Sequence, residues 1–275
     1  MKIVKTSGHV VDFNPDKLRQ SLLRSGALAE DVDAILQYIQ DQLYEGITTR
    51  HIYKLAFAQL KKNANSTAAR YNLRQGIQQL GPAGFFFEKF IARLFEAEGY
   101  QAQCNLKLQG HCVSHEIDVM VEHQGKMEMI ECKFHGSRES VTDVKVPMYI
   151  LSRYNDLKNK AFAVFNHPQN VEGCWIVTNN RFTSDALQFG QCMGLQLLSW
   201  DEPAQHHLRQ RIESQRLYPL TCLTTLTQSE KEKLLIMDLL MVKDVIEQHT
   251  ALSHIGISTN RIRSILAEAY ALITP

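Results

Sequence analysis

The sequence HEIDVMV at residues 115–121, followed by KMEMIECK at 126–133, decides how the middle of this chain folds. Both segments are predicted to be strands, and a hairpin between them would place Asp118 beside Glu131. Because the side chains of a strand alternate between its faces, Glu131 and Lys133 project from the same face. The two segments therefore predict a point where two carboxylates and an ammonium converge. Such a cluster can hold a divalent metal and polarise a phosphodiester and a water.

The composition is that of a folded protein of about two domains, given 275 residues of which 44% are hydrophobic. A net charge of +1 requires any contact with nucleic acid to use local patches. The six cysteines form no C-x-x-C pair, and the chain shows neither a secretory start nor a run of apolar residues long enough for a membrane span. We expect a reduced, cytoplasmic protein that does not associate with membranes.

Local patterns divide the chain into three predicted regions, residues 1–82, 83–202 and 203–275. The first region is predicted to be a hairpin followed by four helices, of which the last covers 66–80. The Gly-Pro-Ala-Gly sequence at 81–84 is a strong helix breaker and sets the first boundary. The third region is predicted to be helical, most clearly at 228–240 and 261–272.

The second region alternates helices and strands. A helix at 85–99 is followed by three strands, and the rest of the region adds a helix at 142–157, a buried strand at 173–178, a helix at 183–193 and a strand at 195–198. This order predicts an α/β (α+β) fold in which helices flank a mixed sheet.

A glutamate on a helix, an aspartate on a strand and a Glu-x-Lys sequence on the next strand resemble the PD-(D/E)XK nuclease superfamily, and most closely the Mrr-type restriction endonuclease catalytic domain. The matching residues are Glu88, Asp118, Glu131 and Lys133. The sequence differs from the family's name at Ile117, where a proline would precede the aspartate. The resemblance covers about residues 85–200 and implies a restriction-endonuclease-like sheet.

The resemblance also implies a mechanism of metal-assisted hydrolysis. Asp118, Glu131 and the backbone carbonyl of Cys132 would bind Mg²⁺ (or Mn²⁺), Lys133 would orient water or stabilise charge on phosphorus, and Glu88 would hold a metal-bound water or a second ion. Two alternatives stay open. Glu-x-Lys is also common on exposed strands as a solvated charge pair, and Asp118 could be a structural partner of His115.

The helix after the catalytic strands carries Lys145, Tyr149 and Arg153 at intervals of four, which places them on one stripe. Lys145 and Arg153 are candidates to contact DNA phosphates, although the stripe could equally be an ordinary solvated face. His135 directly follows the catalytic strand and could touch substrate or be structural.

The first region resembles an ATP-cone, the nucleotide-binding regulatory module of ribonucleotide reductases. The resemblance is carried by dispersed matches in the expected order, at 4–5, 8, 13–14, 17–18, 46–49, 52–53 and 69–74. It implies ATP or dATP as an effector, held by Lys5, Lys17, Arg70 and Arg74. Thr6 stands where family members carry a basic residue. The alternative is a module that has lost nucleotide binding and serves assembly only.

The third region weakly resembles a helix-hairpin-helix module centred on Gly256. Gly256 and Arg261, together with Thr259 and Arg263, would then contact DNA phosphates without reading bases. The alternative is a helical cap that packs on the rest of the protein or on a second copy.

Together these features predict a metal-dependent DNA endonuclease that is regulated by nucleotide binding at the ATP-cone. DNA and a nucleotide are the expected partners, and cutting both strands would need a homodimer or a higher oligomer. The alternatives are a non-catalytic, nucleotide-responsive DNA-binding regulator on a nuclease fold, and an assembly protein.

Overall fold

A computed structural model describes residues 1–5, 7–81 and 84–274, and it divides the chain into two compact units. One unit joins residues 1–77 to 218–275, and the other holds residues 78–217. The chain therefore leaves the first unit once and returns to it. Two residues of the predicted boundary, Pro82 and Ala83, lie outside the described residues, and so does Thr6.

Residues 1–77 form a hairpin and helices around a buried aliphatic core. Asn14 caps the first helix, and its side chain accepts a 3.0 Å hydrogen bond from the backbone N–H of Lys17. The predicted helix 66–80 is wrong in its length, because two helices meet at Asn72, whose side chain accepts a 2.6 Å bond from the Tyr53 hydroxyl. The elements are β1 Lys2–Val4, β2 Val10–Asp12, α1 Pro15–Arg24, α2 Ala29–Asp41, α3 Thr49–Asn63, α4 Asn65–Tyr71 and α5 Leu73–Gln78.

Residues 78–217 contain the mixed sheet that the sequence predicts, together with short strands that it does not. The elements are α6 Phe85–Ala97, β3 Gln101–Gln109, β4 Ser114–His123, β5 Lys126–Lys133, β6 Val141–Thr142, α7 Lys145–Leu157, β7 Ala161–Phe162, β8 Gln169–Thr178, β9 Arg181–Phe182, α8 Ser184–Cys192, β10 Gln196–Leu198 and α9 Leu208–Gln215. The main sheet has the order β10-β8-β5-β4-β3, with β7 paired to β8. Its pairs β3–β4 and β4–β5 are antiparallel, whereas β5–β8 and β8–β10 are parallel.

Helices cover both faces of this sheet. On one face, Phe95 of α6 packs edge-on against Trp175 of β8, with the ring centroids 5.4 Å apart. On the other, Ile150 and Leu157 of α7 join the buried cluster that contains Met129 and Ile176. The ends of β4 and β5 therefore lie in a sheet that is fixed from both sides.

Residues 218–274 belong to the first unit and pack against the helices of residues 1–77. A short 3₁₀ helix, Leu220–Cys222, lies so close to α5 that a Cβ on Gly76 would stand 2.5 Å from Cys222 Sγ. The predicted helix 228–240 ends early, at Ile236, because Asp238 has a positive φ of 63°. The helices are α10 Gln228–Ile236, α11 Val242–Glu247, α12 Thr250–His254 and α13 Thr259–Ile273. None of the helices in the described part of the chain combines the length and apolar character of a membrane span.

Candidate active site

Asp118 lies on β4 directly before the residues of this strand that pair with β5. The register sets Val119 opposite Ile130. Because the two strands are antiparallel, Asp118, which precedes Val119, and Glu131, which follows Ile130, both lie at the same end of this pairing. The Asp118 carboxylate accepts a 2.7 Å hydrogen bond from the backbone N–H of Cys132. The aspartate is therefore held against the end of β5 that carries the Glu-x-Lys sequence.

Glu131 and Lys133 project from the same face of β5, as strand alternation predicts. Lys133 Nζ lies 3.1 Å from Glu131 Oε1. The Glu131 side chain is 6% exposed whereas that of Lys133 is 37% exposed, so a nearly buried carboxylate carries a half-exposed ammonium at its edge. The alternative that Glu131 and Lys133 form a solvated charge pair on an exposed strand does not hold, because Glu131 is nearly buried.

The charges of three carboxylates act on one another at this point. The pKa of Asp118 is raised to about 7, first by burial and then by the negative charges of Glu131 and, less strongly, Glu88, while the hydrogen bond from the Cys132 amide and the charge of Lys133 oppose the rise. Glu88, in the first turn of α6, also has a raised pKa, caused first by burial and then by Glu131. The four predicted catalytic residues therefore influence one another electrostatically. A bound cation would stabilise the ionised carboxylates of Asp118 and Glu88, whose pKa values are raised by burial and by neighbouring negative charge.

The chemistry of these residues fits a hard divalent cation. Carboxylate and carbonyl oxygens are the ligands such an ion prefers, with water completing the shell. Among the residues that the structure describes, no group of three or more His, Cys, Asp or Glu side chains is arranged as a metal cage. The metal ligands expected from the sequence, Asp118, Glu131 and the carbonyl of Cys132, stay a prediction.

Arg153, a residue of the stripe predicted to contact DNA, forms an ion pair with Glu131. Its Nη1 lies 2.6 Å from Glu131 Oε2, and its Nη2 donates to the backbone carbonyl of Glu116. The Arg153 side chain is only 11% exposed. By contrast, Lys145 and Tyr149 are exposed on the same helix, and the Glu116 side chain is exposed as well. Sequence periodicity placed the three residues on one stripe, but it could not show that Arg153 reaches Glu131. Contact of Lys145 and Arg153 with DNA phosphates stays a prediction.

The partner of His115 is Asp156 of α7, at 2.8 Å, and not Asp118. Asp156 also accepts hydrogen bonds from the backbone N–H groups of Cys112 and Val113, at 2.8 and 3.3 Å. These bonds tie the β3–β4 turn to α7. A cavity of about 580 Å³ opens between that turn and the helix, with Arg153 in its wall.

Two asparagines that the sequence analysis missed hold the loop after Lys133. Asn179 receives a 2.8 Å bond from the His135 N–H and returns one of 2.8 Å to the His135 carbonyl. Asn180 donates to the carbonyls of Ser137 and Ser140, at 2.6 and 2.8 Å. His135 also contacts the Thr142 hydroxyl through Nε2, at 2.9 Å. The signal that could have revealed this role is an Asn-Asn pair at the end of a buried strand.

The first unit contains a separate cavity of about 350 Å³, in the cone region. Lys5 and Lys17 are among its lining residues, and so are Tyr53 and Tyr71, whose rings stack with centroids 5.1 Å apart. The wall of this cavity therefore includes both ammonium groups and aromatic rings.

The other two predicted nucleotide-binding residues lie elsewhere. Arg70 donates from Nη2 to the carbonyls of Ala271 and Leu272, near the end of α13, at 2.8 and 3.3 Å. Arg74 lies on α5 and is not among the described residues that line the cavity.

The residues predicted to contact DNA from the third region are engaged within the protein. Gly256 has the positive φ of 88° expected of a tight turn, and its N–H donates to the carbonyl of Ser253 at 2.9 Å. Arg261 forms an ion pair with Glu230 and donates to the carbonyl of Thr225 at 2.9 Å. A helix-hairpin-helix role for these residues stays a prediction.

Comparison with known families agrees with this architecture. The ATP cone domain model matches residues 1–78, the Mrr_cat restriction endonuclease model matches residues 82–205, and the AF1548-like C-terminal model matches residues 218–273. The protein thus combines an ATP-cone domain with a restriction-endonuclease domain, as the sequence resemblances indicated.

Two relatives define the family more closely. An uncharacterized protein of Archaeoglobus fulgidus is 34% identical over 184 residues, which is 66% of this chain and 99% of that protein. The crystal structure of AF1548, a protein of unknown function, is 32% identical, with a TM-score of 0.56 over 69% of this chain and 97% of that one. The chain belongs to the AF1548-like family. The DNA modification-dependent restriction endonuclease AspBHI also matches, at 13% identity and a TM-score of 0.33, over 62% of this chain and 40% of that one.

Proposed function

We propose that this protein is a divalent-metal-dependent DNA endonuclease whose activity responds to a nucleotide bound at its ATP-cone domain. The observation that carries the proposal is the position of Asp118 against the end of β5 that bears Glu131 and Lys133. This cluster lies within the residues that match the restriction endonuclease model. The proposed cofactor is Mg²⁺ or Mn²⁺.

The reaction would be hydrolysis of a phosphodiester bond. A divalent cation bound by Asp118, Glu131 and the Cys132 carbonyl would supply Lewis-acid polarisation of the phosphate and of a water. The half-exposed ammonium of Lys133 would donate hydrogen bonds to the attacking water or to the phosphate oxygens that gain charge. Glu88, whose pKa is raised by burial, would accept a hydrogen bond from water at the edge of the site.

The proposed nucleotide site is the cavity of the cone region. Lys5 and Lys17 would bind the phosphates of ATP or dATP, and the stacked rings of Tyr53 and Tyr71 form an aromatic surface that suits a base. Nucleotide at this site would be an effector, since the sequence contains no P-loop.

The experiment that tests the nuclease is nicking of a supercoiled plasmid in Mg²⁺ or Mn²⁺, with and without ATP or dATP. Lys133→Ala should slow nicking by about 100-fold or more, and EDTA should stop it. Lys126→Ala is the matched control, because it removes an exposed lysine from the other end of the same strand.

Two results would count against the proposal. Nicking at the parental rate by both Lys133→Ala and Asp118→Asn, or in EDTA, would mean that a contaminant cuts the plasmid. DNA binding without cleavage under every metal and nucleotide would favour the non-catalytic regulator. If cleavage does occur, linear product formed in one encounter would support a homodimer or higher oligomer, since one site cuts one strand.

A further inference from the structure

Glu131 is the most heavily compensated acid of the site. Each of its two carboxylate oxygens faces a different cation, Lys133 Nζ at 3.1 Å from Oε1 and Arg153 Nη1 at 2.6 Å from Oε2. A nearly buried carboxylate needs such partners, because an unpaired charge away from water is costly. Both oxygens that a metal ion would use are therefore engaged by protein cations.

The two cations are not equivalent. Lys133 belongs to the catalytic pattern itself and remains 37% exposed. Arg153 comes from α7, is 11% exposed, and is anchored at its second nitrogen by the carbonyl of Glu116. Its guanidinium also lies 5.7 Å from the centroid of the exposed Tyr149 ring. Arg153 thus has a second anchor and a wall of the neighbouring cavity to turn toward when it releases Glu131.

We propose that Arg153 is the resident counter-ion of Glu131 in the metal-free protein and competes with the divalent metal for Oε2, so that Arg153 sets the metal affinity of the site. This inference rests on the proposed function. A metal ion bound to Glu131 must either displace the Arg153 guanidinium or share the carboxylate with it. Sharing is unfavourable because two positive charges repel at such distances. The released guanidinium can bind a DNA phosphate, for which its planar fork is suited. DNA that engages Arg153 would then raise metal affinity, and metal would raise DNA affinity by the same factor.

The test measures Mn²⁺ binding to the full chain by titration calorimetry, without DNA, so that it does not depend on cleavage. Arg153→Met keeps most of the side-chain volume and removes the charge. It should tighten Mn²⁺ binding by about tenfold, a change of the size that outer-shell substitutions produce. Arg153→Lys should give a smaller increase, because a single ammonium cannot hold Glu131 and the Glu116 carbonyl together. Arg181→Met is the matched control, since Arg181 pairs with Asp201 at 2.8 Å in the same unit, and its affinity should equal that of the parent.

Asp118→Asn distinguishes a failure of the proposed competition from a failure of the proposed metal site. If the parent and Arg153→Met bind Mn²⁺ equally, or Arg153→Met binds more weakly, while Asp118→Asn abolishes binding, the competition is wrong and the metal site stands. If no variant binds Mn²⁺ in a way that depends on Asp118, the metal site itself is wrong. Should Arg153→Met fail to fold by circular dichroism, Arg153→Lys decides alone, and unchanged or weaker binding overturns the proposal.

Discussion

The carboxylate of Asp118 accepts a 2.7 Å hydrogen bond from the backbone amide of Cys132, which lies between Glu131 and Lys133 on the neighbouring strand. This bond fixes the aspartate close to a second carboxylate in a half-buried place. It does not compensate for the burial and for the charge of Glu131, which together raise the pKa of Asp118 to about 7. The site therefore stores an electrostatic cost that can be measured without any substrate.

The first prediction concerns the stability of the metal-free protein. The pKa of Asp118 rises from its ordinary value of 3.8 to about 7 on folding, so the folded protein binds the proton more tightly. The resulting stabilisation is fully present below the unfolded pKa and is lost as the pH rises through about 7. Asp118→Asn keeps an acceptor for the Cys132 amide and removes the charge. Its advantage in melting temperature over the parent, measured in EDTA, should grow by roughly 3–6 °C from pH 5 to pH 8.

A control for this measurement is Asp185→Asn, which changes an exposed aspartate in the first turn of α8. Its melting temperature relative to the parent should not depend on pH in this range. An Asp118→Asn protein whose advantage stays constant between pH 5 and pH 8 would mean that Asp118 is not electrostatically strained.

The second prediction concerns nucleotide binding. Lys17 lines the cone cavity, so Lys17→Ala should weaken binding of ATP or dATP about tenfold, the loss expected of one charged hydrogen bond to phosphate. Calorimetric titration of each nucleotide checks this. Lys62→Ala, an exposed lysine in the last turn of α3, should bind as the parent does. Equal affinities of the two variants would place the nucleotide outside this cavity.

The third prediction separates Arg70 from the nucleotide site, to which the sequence resemblance assigned it. Arg70 donates to the last carbonyls of α13, where a cation also stabilises the helix dipole. Arg70→Ala should lower the free energy of unfolding of the unit that joins residues 1–77 to 218–275 by about 1–2 kcal/mol. Nucleotide affinity should stay as in the parent. Urea denaturation and calorimetry on the same preparation check both parts, and weaker nucleotide binding with unchanged stability would restore the original assignment.

Local sequence rules captured what depends on neighbours along the chain. Alternation in a strand put Glu131 and Lys133 on one face, and the helix-strand order predicted the mixed sheet. These rules could not predict that Arg153 reaches Glu131, 22 residues away, or that Asp156 rather than Asp118 binds His115, since such pairs depend on how α7 packs on the sheet. Nor could they predict that residues after 217 rejoin the first unit. The hydrophobic pattern marks an inner face of a helix without naming the surface that it covers.

The fourth prediction uses Asp156, the residue that joins α7 to the turn before β4. His115 and the backbone N–H groups of Cys112 and Val113 hold the pKa of Asp156 well below its ordinary value, against a smaller effect of desolvation. This contribution to stability is present above the ordinary pKa of 3.8 and is lost only as the pH falls through the lowered one. The hydrogen bonds of Asp156 therefore persist at neutral pH.

Asp156→Ala should accelerate amide hydrogen exchange in the turn at residues 110–114 by about tenfold or more, as measured by mass spectrometry. Asn155→Ala, which removes an exposed side chain from the wall of the same cavity, should leave that exchange unchanged. If both variants exchange alike, packing of the hairpin and not the Asp156 carboxylate orders this turn. In that case the cavity wall beside Arg153 forms without the contribution of the Asp156 carboxylate.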